Sequence, residues 1–299
     1  MKIGIAGAGA VGCHYAAKLL AAGADVLLLA RGAHLRALCD HGLLHESDGQ
    51  CRRLEVAASD DVTILDGCDV ILLASKMTDL EGMLAAMGAA RLKPGMLATL
   101  QNGVRAPGMV AEVFPGVPVL AGTAFIGVRR VAPGHVLHTA AGGVRLAWWR
   151  QMGASAEPLL DWLERAGVPA RMEPDAVTLL WRKMLWNCGF NALTAITRRY
   201  AKDMAANPET REIVEAAMRE ALALARHEGA GVDEDDIRKH IEVTLRMGPV
   251  KTSMWQDVEM GARTEIDELN GYVAKRAQTL GLSAPVNAML TALVHALAS

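Results

Sequence analysis

The sequence predicts an α/β protein with an N-terminal doubly wound parallel sheet and a C-terminal all-helical domain. Three observations support this prediction. The first 32 residues have the pattern of strand, glycine-rich turn, helix and strand. Buried strand patterns then alternate with helical patterns as far as residue 166. From Pro174 onward, strand patterns disappear and long helical patterns take over.

The N-terminal segment carries a turn typical of dinucleotide binding. Residues 2–6 predict a strand, 10–22 a helix and 25–30 a second strand, with the spacing G-x-G-x-x-G after the first strand. The first glycine permits a tight turn, the second lets the backbone approach a pyrophosphate, and the third lets the helix pack on the strand. Amide groups at the helix start then bind phosphate. The context favours a Rossmann-type domain over an unrelated glycine-rich turn, and the predicted cofactor-binding residues are Gly7, Ala8, Gly9, Ala10, Val11 and Gly12.

The residue after the second strand bears on the choice of cofactor. NAD-selective domains usually have Asp or Glu there, which binds the ribose 2′-hydroxyl. This chain has Arg31 instead. A guanidinium suits a 2′-phosphate because it forms paired, charge-assisted hydrogen bonds. We therefore predict NADP(H) rather than NAD(H), the alternative being that Arg31 is a solvated surface arginine.

The remaining elements of the first domain follow from apolar runs and turn residues. We predict strands at 52–56, 70–74, 96–100 and 117–125, helices at 33–41, 79–87 and 157–166, and an antiparallel hairpin over 127–149 with turns at Pro133-Gly134 and Gly142-Gly143. Lys76 and Asn102 follow two of the strands. Ligands of such sheets bind at the carboxyl ends of the strands, so both are candidate contacts, although surface lysines and Asn-Gly turns are common without function.

The domain boundary is expected where Gly167, Pro169 and Pro174 cluster. This divides the chain into an NADP-binding domain, residues 1–168, and a helical substrate and catalytic domain, residues 169–299. Helices are predicted at 175–200, 207–227, 233–247, 253–280 and 283–298.

One predicted helix carries a polar stripe. Lys183, Asn187 and Asn191 are spaced i, i+4, i+8 and line one face over about 12 Å. Buried without partners, they would cost several kcal/mol. Two interpretations remain open: a ligand-facing stripe at a cleft between the domains, or hydrogen bonds on a buried helix. Burial lowers the pKa of a lysine, which can then act as an acid near neutral pH.

Composition excludes several classes of function. The formal net charge is −2 without a long basic run, which argues against nucleic acid or an anionic membrane as partner. No apolar stretch reaches the 18 or so residues of a membrane helix. The five cysteines and nine histidines show no metal-ligand spacing, so we predict no metal and reduced thiols in a cytoplasmic protein. Leu290, Leu293 and Leu297 form an apolar face that fits either core packing or a homodimer contact.

Four stretches together resemble the ketopantoate reductase (2-dehydropantoate 2-reductase) family over nearly the whole chain. They are the N-terminal GAGAVG, the turn Gln101-Asn102-Gly103, the segment WRK…N…N…LTAI from Trp181, and SMWQDVEMGARTEID from Ser253. The resemblance implies NADPH-dependent reduction of ketopantoate, a small 2-oxo acid, to pantoate in pantothenate biosynthesis. It also implies that Lys183 donates the proton to the ketone.

The resemblance also implies roles for other residues. The implied substrate contacts are Asn102, Asn187, Asn191 and Ser253, with Asn102 between nicotinamide and substrate. The implied cofactor contacts, besides the glycine-rich turn, are Arg31, Lys76, Asn102, Val128 and Glu265. Ser253 with Gln256 also fits a helix N-cap box, so Ser253 has a structural alternative. On a continuous helix Ser253 and Glu265 would lie about 18 Å apart and serve different parts of the bound pair.

One departure from the family pattern concerns the substrate. Ala201 falls where the family often has a further substrate asparagine. The change would be accounted for if Arg198 or Arg199 binds the substrate carboxylate, or if the substrate is a different 2-oxo acid. The other interpretation is that these two residues are surface arginines at a helix end. The alternative functions are a D-2-hydroxyacid dehydrogenase of the same superfamily, acting on a branched or aromatic 2-oxo acid, and a non-catalytic NADPH-binding regulator.

Overall fold

The computed structural model describes residues 1–297 and divides into two compact units. The first unit comprises Met1–Gln101 and Arg105–Ala176, and the second comprises Asn102–Val104 and the chain from Val177 onward. The predicted boundary after residue 168 falls earlier than this division. A short strand at Ala170–Met172 pairs with the sheet of the first unit, which keeps this segment in that unit.

The first unit is built on one sheet of ten strands. In chain order they are β1 (Lys2–Ala6), β2 (Asp25–Leu29), β3 (Leu43–Ser47), β4 (Gln50–Leu54), β5 (Ala57–Ser59), β6 (Val70–Leu73), β7 (Leu97–Thr99), β8 (Val119–Ala132), β9 (His135–Arg150) and β10 (Ala170–Met172). The spatial order is β4-β3-β9-β8-β7-β6-β1-β2-β5, with β10 beside β9. From β5 to β8 every neighbouring pair is parallel, which confirms the predicted fold class.

Helices cover both faces of this sheet because successive residues of a strand point to opposite sides. The helices are α1 (Ala10–Ala21), α2 (Gly32–His41), α3 (Met77–Ala89), α4 (Ala106–Val113) and α5 (Glu157–Arg165). Val70 and Leu72 of β6 join the core that contains α1 and α5. Ile71 and Leu73 join the core that contains α3 and α4. The sheet is therefore doubly wound.

Three local predictions in this unit were wrong or incomplete. The hairpin turns once, at Pro133-Gly134, where Gly134 has φ +72°. Gly142 and Gly143 instead lie inside β9, next to an irregularity in its pairing with β8. The predictions also missed β3, whose short polar sequence gives a weak strand pattern, and α4, which begins three residues after Gly103.

The second unit is helical in its described part, as predicted. Its helices are α6 (Ala176–Thr197), α7 (Ala201–Ala206), α8 (Pro208–His227), α9 (Glu234–Leu245), α10 (Ser253–Glu259), α11 (Asn270–Thr279) and α12 (Pro285–Leu297). The side chain of Asn207 caps α8 and that of Asp233 caps α9. No helix of the described residues is both long enough and apolar enough to cross a membrane.

The predicted helix over 253–280 was wrong as a single element. It is divided into α10, a 3-10 turn at Ile266–Glu268 and α11. Gly261 follows the end of α10 with φ +61°, a left-handed conformation that ends helices and favours glycine. The segment from Ser253 to Glu265 is therefore not one helix, and the 18 Å separation expected between these residues does not apply.

Candidate active site

The glycine-rich turn has the geometry of a phosphate cradle. Gly7 has φ +103°, and a Cβ on it would lie 2.4 Å from the backbone nitrogen of Ser75. A Cβ on Gly12 would lie 2.3 Å from the carbonyl oxygen of Gly7. A Cβ on Gly9 would meet no atom within 4 Å. Packing thus requires glycine at positions 7 and 12, while Gly9 faces open space at the start of α1, where amide groups attract a phosphate.

Arg31 and Lys76 precede two helices of this unit. Arg31 is the N-cap residue of α2 and lies two positions after the end of β2, and Lys76 is the N-cap residue of α3. The guanidinium of Arg31 forms an ion pair with Asp79, with 3.0 Å between Nη2 and Oδ1. Sequence reasoning missed Asp79, although its place in the first turn of α3 puts it three residues from Lys76.

A buried amide lies next to the glycine-rich turn. Gln101 follows β7 and is 4% exposed, and its Nε2 donates to Oγ of Ser75 at 3.4 Å. Its Oε1 has no hydrogen-bond partner within residues 1–297. Because Ser75 also lies against Gly7, this unpaired oxygen is close to the phosphate cradle. A buried group without a partner and a cradle that excludes side chains both fit a bound dinucleotide.

Val128 lies on β8, opposite His138 of β9, beside a pairing irregularity at Gly127. It is half-buried. The predicted contact with the cofactor is through its backbone, so the identity of its side chain is not required for that role. Val128 therefore stays a predicted cofactor contact.

In the second unit, Asn102 and Glu265 are joined directly. Asn102 Nδ2 donates to Glu265 Oε2 at 3.0 Å, although 163 residues separate them in sequence. Glu265 is 8% exposed and precedes the 3-10 turn at Ile266–Glu268. Gly103 has φ +91°, and a Cβ on it would approach the carbonyl oxygen of Glu268 to 3.1 Å. The Asn-Gly turn is thus fitted closely to the segment that carries Glu265.

Lys183 lies on α6, and its surroundings tune its acidity. Burial, which penalises the charged ammonium, lowers its pKa from 10.5 to about 8, and the negative charge of Glu265 acts in the opposite direction. Its side chain still reaches solvent in part, while protein atoms surround it densely. A lysine with this pKa is largely protonated at pH 7 and gives up its proton readily, as a proton donor must.

Asn187 and Asn191 are 3% and 2% exposed and lie on the same helix. Asn191 Nδ2 donates to Asn187 Oδ1 at 3.3 Å. The other two polar atoms, Asn187 Nδ2 and Asn191 Oδ1, lack a partner in the described part of the chain. Exchanging nitrogen and oxygen in both amides still leaves one donor and one acceptor unpaired. A ligand with a carboxylate and a hydroxyl would satisfy both.

The predicted N-cap box at Ser253 was wrong, because the neighbouring threonine has that role. Thr252 is the N-cap residue of α10, and its Oγ1 accepts from the amide of Trp255 at 3.3 Å. The same Oγ1 lies 2.8 Å from Oγ1 of Thr194 on α6. Ser253 is the first helical residue and is exposed. Thr194 and Thr252, which sequence reasoning missed, thus fix the start of α10 to α6.

The region of the family asparagine is apolar here. Ala201 begins α7 and is 3% exposed within the apolar core of the second unit. Arg198 and Arg199 are exposed in the connection before α7, and Arg198 has φ +53°.

In the described residues, no group of three or more His, Cys, Asp or Glu side chains is arranged to hold a metal ion.

Two family models match this chain. The model described as ketopantoate reductase PanE/ApbA matches residues 3–151. The model described as ketopantoate reductase PanE/ApbA C terminal matches residues 175–298. Together they span both units of the structure.

Individual proteins with known names are similar over the full length. A 2-dehydropantoate 2-reductase of Nostoc sp. is 28% identical over 291 residues, which cover 95% of this chain and 91% of that protein. The crystal structure of a PanE/ApbA family ketopantoate reductase from Ralstonia eutropha JMP134 has 32% identity and a TM-score of 0.91, covering 100% of this chain and 98% of the other. The ternary structure of D-mandelate dehydrogenase with NADH and anilino(oxo)acetate has 26% identity and a TM-score of 0.91, with the same coverage.

Proposed function

The chain belongs to the ketopantoate reductase family, and from this premise we propose that it reduces 2-dehydropantoate to pantoate with NADPH, a step of pantothenate biosynthesis. It is an oxidoreductase of the ketopantoate reductase kind, and its cofactor is a nicotinamide dinucleotide. The proposal adds the substrate, the preference for NADPH and the roles of individual residues.

The observation that carries the proposal is the composition of one face of α6. Lys183 has a pKa of about 8, and the buried amides of Asn187 and Asn191 leave one donor and one acceptor unpaired. Each unpaired buried group costs roughly 1–3 kcal/mol. A ligand that pairs with these two amides would account for their presence in spite of this cost.

The proposed mechanism uses these groups in one step. A reduced nicotinamide, when bound, would supply the hydride for reduction of the ketone carbon of the substrate. Negative charge then develops on the ketone oxygen, where the Lys183 ammonium stabilises it and donates a proton from Nζ. Asn187, Asn191 and Ser253 orient the substrate, and Glu265 keeps Lys183 protonated by its negative charge.

Binding of the cofactor is assigned to the first unit and to two residues of the second. The amides of residues 7–12 hold the pyrophosphate, Arg31 and Lys76 contact the adenosine 2′-phosphate, and Val128 contacts the cofactor through its backbone. Asn102 and Glu265, which are hydrogen-bonded to each other, hold the nicotinamide end. The guanidinium after β2, in place of an acidic residue, supports NADPH over NADH.

A second candidate function is a D-2-hydroxyacid dehydrogenase acting on an aromatic or branched 2-oxo acid. The similarity to D-mandelate dehydrogenase, with a TM-score of 0.91, favours it. So does Ala201, which offers no amide to the polar end of ketopantoate. Rates with ketopantoate and with a panel of branched and aromatic 2-oxo acids distinguish the two. Tight NADPH binding without oxidation by any 2-oxo acid would instead favour a regulator.

The test of the proposal is NADPH oxidation with ketopantoate by the wild type, Lys183→Met and Lys202→Met. Lys202 is an exposed lysine of α7 and serves as the matched control. Loss of the proton donor should lower turnover by about 10²–10⁴-fold. NADPH binding, measured by fluorescence, should be retained, and Lys202→Met should resemble the wild type. Unchanged turnover in Lys183→Met would refute the assignment of Lys183.

A further inference from the structure

The ion pair between Arg31 and Asp79 lies where a dinucleotide would place its adenosine ribose. In Rossmann-type domains the residue that follows the second strand faces the ribose 2′ position. Here that residue is Arg31, and Asp79 Oδ1 lies 3.0 Å from its Nη2. The side chains are 79% and 45% exposed. The exposure of the Arg31 side chain gives a phosphate access to the guanidinium.

Asp79 changes what this guanidinium offers to a ligand. Its carboxylate occupies a guanidinium nitrogen that a 2′-phosphate would need for bidentate hydrogen bonding. It also places a negative charge beside an incoming dianion. The position of Asp79 in the first turn of α3, where the helix dipole favours a negative charge, helps to keep the carboxylate there. A 2′-hydroxyl, by contrast, can donate a hydrogen bond to the same carboxylate.

We propose that Asp79 sets the cofactor selectivity: it weakens NADPH binding by competing for Arg31, and it accepts a hydrogen bond from the ribose 2′-hydroxyl of NADH. Asp79 thus takes the role of the acidic residue that β2 lacks at its end, but from a different helix. The chain therefore uses both cofactors, with a smaller preference for NADPH than Arg31 alone would give. This inference rests on the proposed use of NADPH through Arg31.

The experiment compares dissociation constants of NADPH and NADH for the wild type, D79N and E81Q. The substitution D79N removes the charge and keeps the shape. Glu81 is an exposed acidic residue of α3 without an ion pair to Arg31, so E81Q controls for net charge. Binding is measured by titration calorimetry and repeated with 2′-phosphorylated AMP and with AMP, which isolate the adenosine end.

In D79N we expect NADPH to bind about fivefold more tightly and NADH about twofold to fivefold more weakly, the range of an exposed charge pair. When D79N is combined with R31Q, the tighter binding of NADPH should largely disappear, because Asp79 competes with the 2′-phosphate for the Arg31 guanidinium. The gain should also shrink at high salt. An unchanged NADPH-to-NADH ratio in D79N, or an equal gain in E81Q or in R31Q, would overturn the inference.

The proposed function and the role of Asp79 are tested by different measurements. That proposal fails if the wild type does not oxidise NADPH with ketopantoate, whatever D79N does. The role of Asp79 is judged by the change in the ratio between two binding constants, which is measured without substrate and without turnover.

Discussion

The pKa of Lys183 results from two opposing effects, and Glu265→Gln removes one of them. Burial lowers this pKa from 10.5 to about 8, while the Glu265 carboxylate raises it. Glutamine keeps an oxygen that can accept the hydrogen bond from Asn102 but lacks the charge. With burial unopposed, the pKa of Lys183 should fall below that of the wild type.

The size of the change follows from the general effect of a neighbouring opposite charge. Such a charge within a few ångströms moves a pKa by roughly 1–3. Glu265 is buried and therefore poorly screened, so the lower end of this range, roughly one pH unit, is the minimum shift expected. At pH 8 the protonated fraction of Lys183 should then drop from about half to about a tenth. At pH 6 Lys183 should be roughly nine-tenths protonated or more in both enzymes.

The assay is turnover with ketopantoate as a function of pH, from 5.5 to 9.5 (roughly the range in which Lys183 titrates). In the proposed mechanism the ammonium is the proton donor, so activity should be complete below its pKa and should be lost as pH rises through it. The fall should begin at lower pH in Glu265→Gln, with about fivefold lower turnover at pH 8. NADPH must be saturating, since Glu265 is also a proposed cofactor contact.

Asp267→Asn is the matched control for this experiment. Asp267 lies in the same segment, and its carboxylate pairs with Lys275 and His295. The charge that acts on Lys183 comes from Glu265, so the pH profile of Asp267→Asn should match the wild type. A Glu265→Gln profile that is unchanged, or that moves to higher pH, would refute the electrostatic argument and the assignment of Lys183 as the titrating acid.

Three further predictions concern the fold and the binding groups. Gly12→Ala puts a methyl group 2.3 Å from a backbone oxygen and should lower the melting temperature sharply. Gly9→Ala faces open space, so it should keep the melting temperature but lose NADPH affinity in titrations. Equal melting temperatures of the two variants would contradict this. Asn187→Leu should raise KM for ketopantoate by about tenfold or more, and an unchanged KM would exclude a substrate contact. Thermal stability should change little, because the substitution removes the unpaired Nδ2 of Asn187 but also leaves Nδ2 of Asn191 without its acceptor. Burial lowers the pKa of His14 to about 3 and of His45 to about 4, from 6.5. The neutral histidines therefore stabilise the fold fully above pH 6.5 and progressively less toward pH 4, so melting temperatures should fall over this range, and less steeply in His45→Phe.

Sequence reasoning succeeded where a structure depends on residues close together in the chain. The strand, turn and helix of residues 2–21 follow from apolar alternation and from three glycines, two of which the structure shows to be forced by contacts under 2.5 Å. The predicted starts of the helices at residues 207 and 233 are equally local, because Asn207 and Asp233 cap α8 and α9. Such patterns determine backbone conformation within one or two turns, and tertiary contacts do not override them.

Sequence reasoning was weaker where contacts between distant segments determine the local structure. The apolar periodicity of residues 253–280 continues across Gly261, and a single glycine is only a weak signal that a helix ends. The choice between Thr252 and Ser253 as N-cap depends on the contact of Thr252 with Thr194, 58 residues away. The pairing of Asn102 with Glu265 and of Arg31 with Asp79 likewise joins distant segments. Only the family resemblance brought Asn102 and Glu265 into one site in advance.

The polar stripe of α6 was left open by the sequence, and the structure adds an energetic argument. If the stripe served only to join helices, its amides would be paired within the protein, as the buried Asn287 is: its Nδ2 donates to Ala217 and Glu220, and its Oδ1 accepts from Asn270. Asn187 and Asn191 pair only with each other and leave two atoms unsatisfied among the described residues. A lysine whose burial lowers its pKa lies on the same helix and weakens the fold as well. Three neighbouring groups that each reduce stability are better explained by binding and proton transfer than by packing.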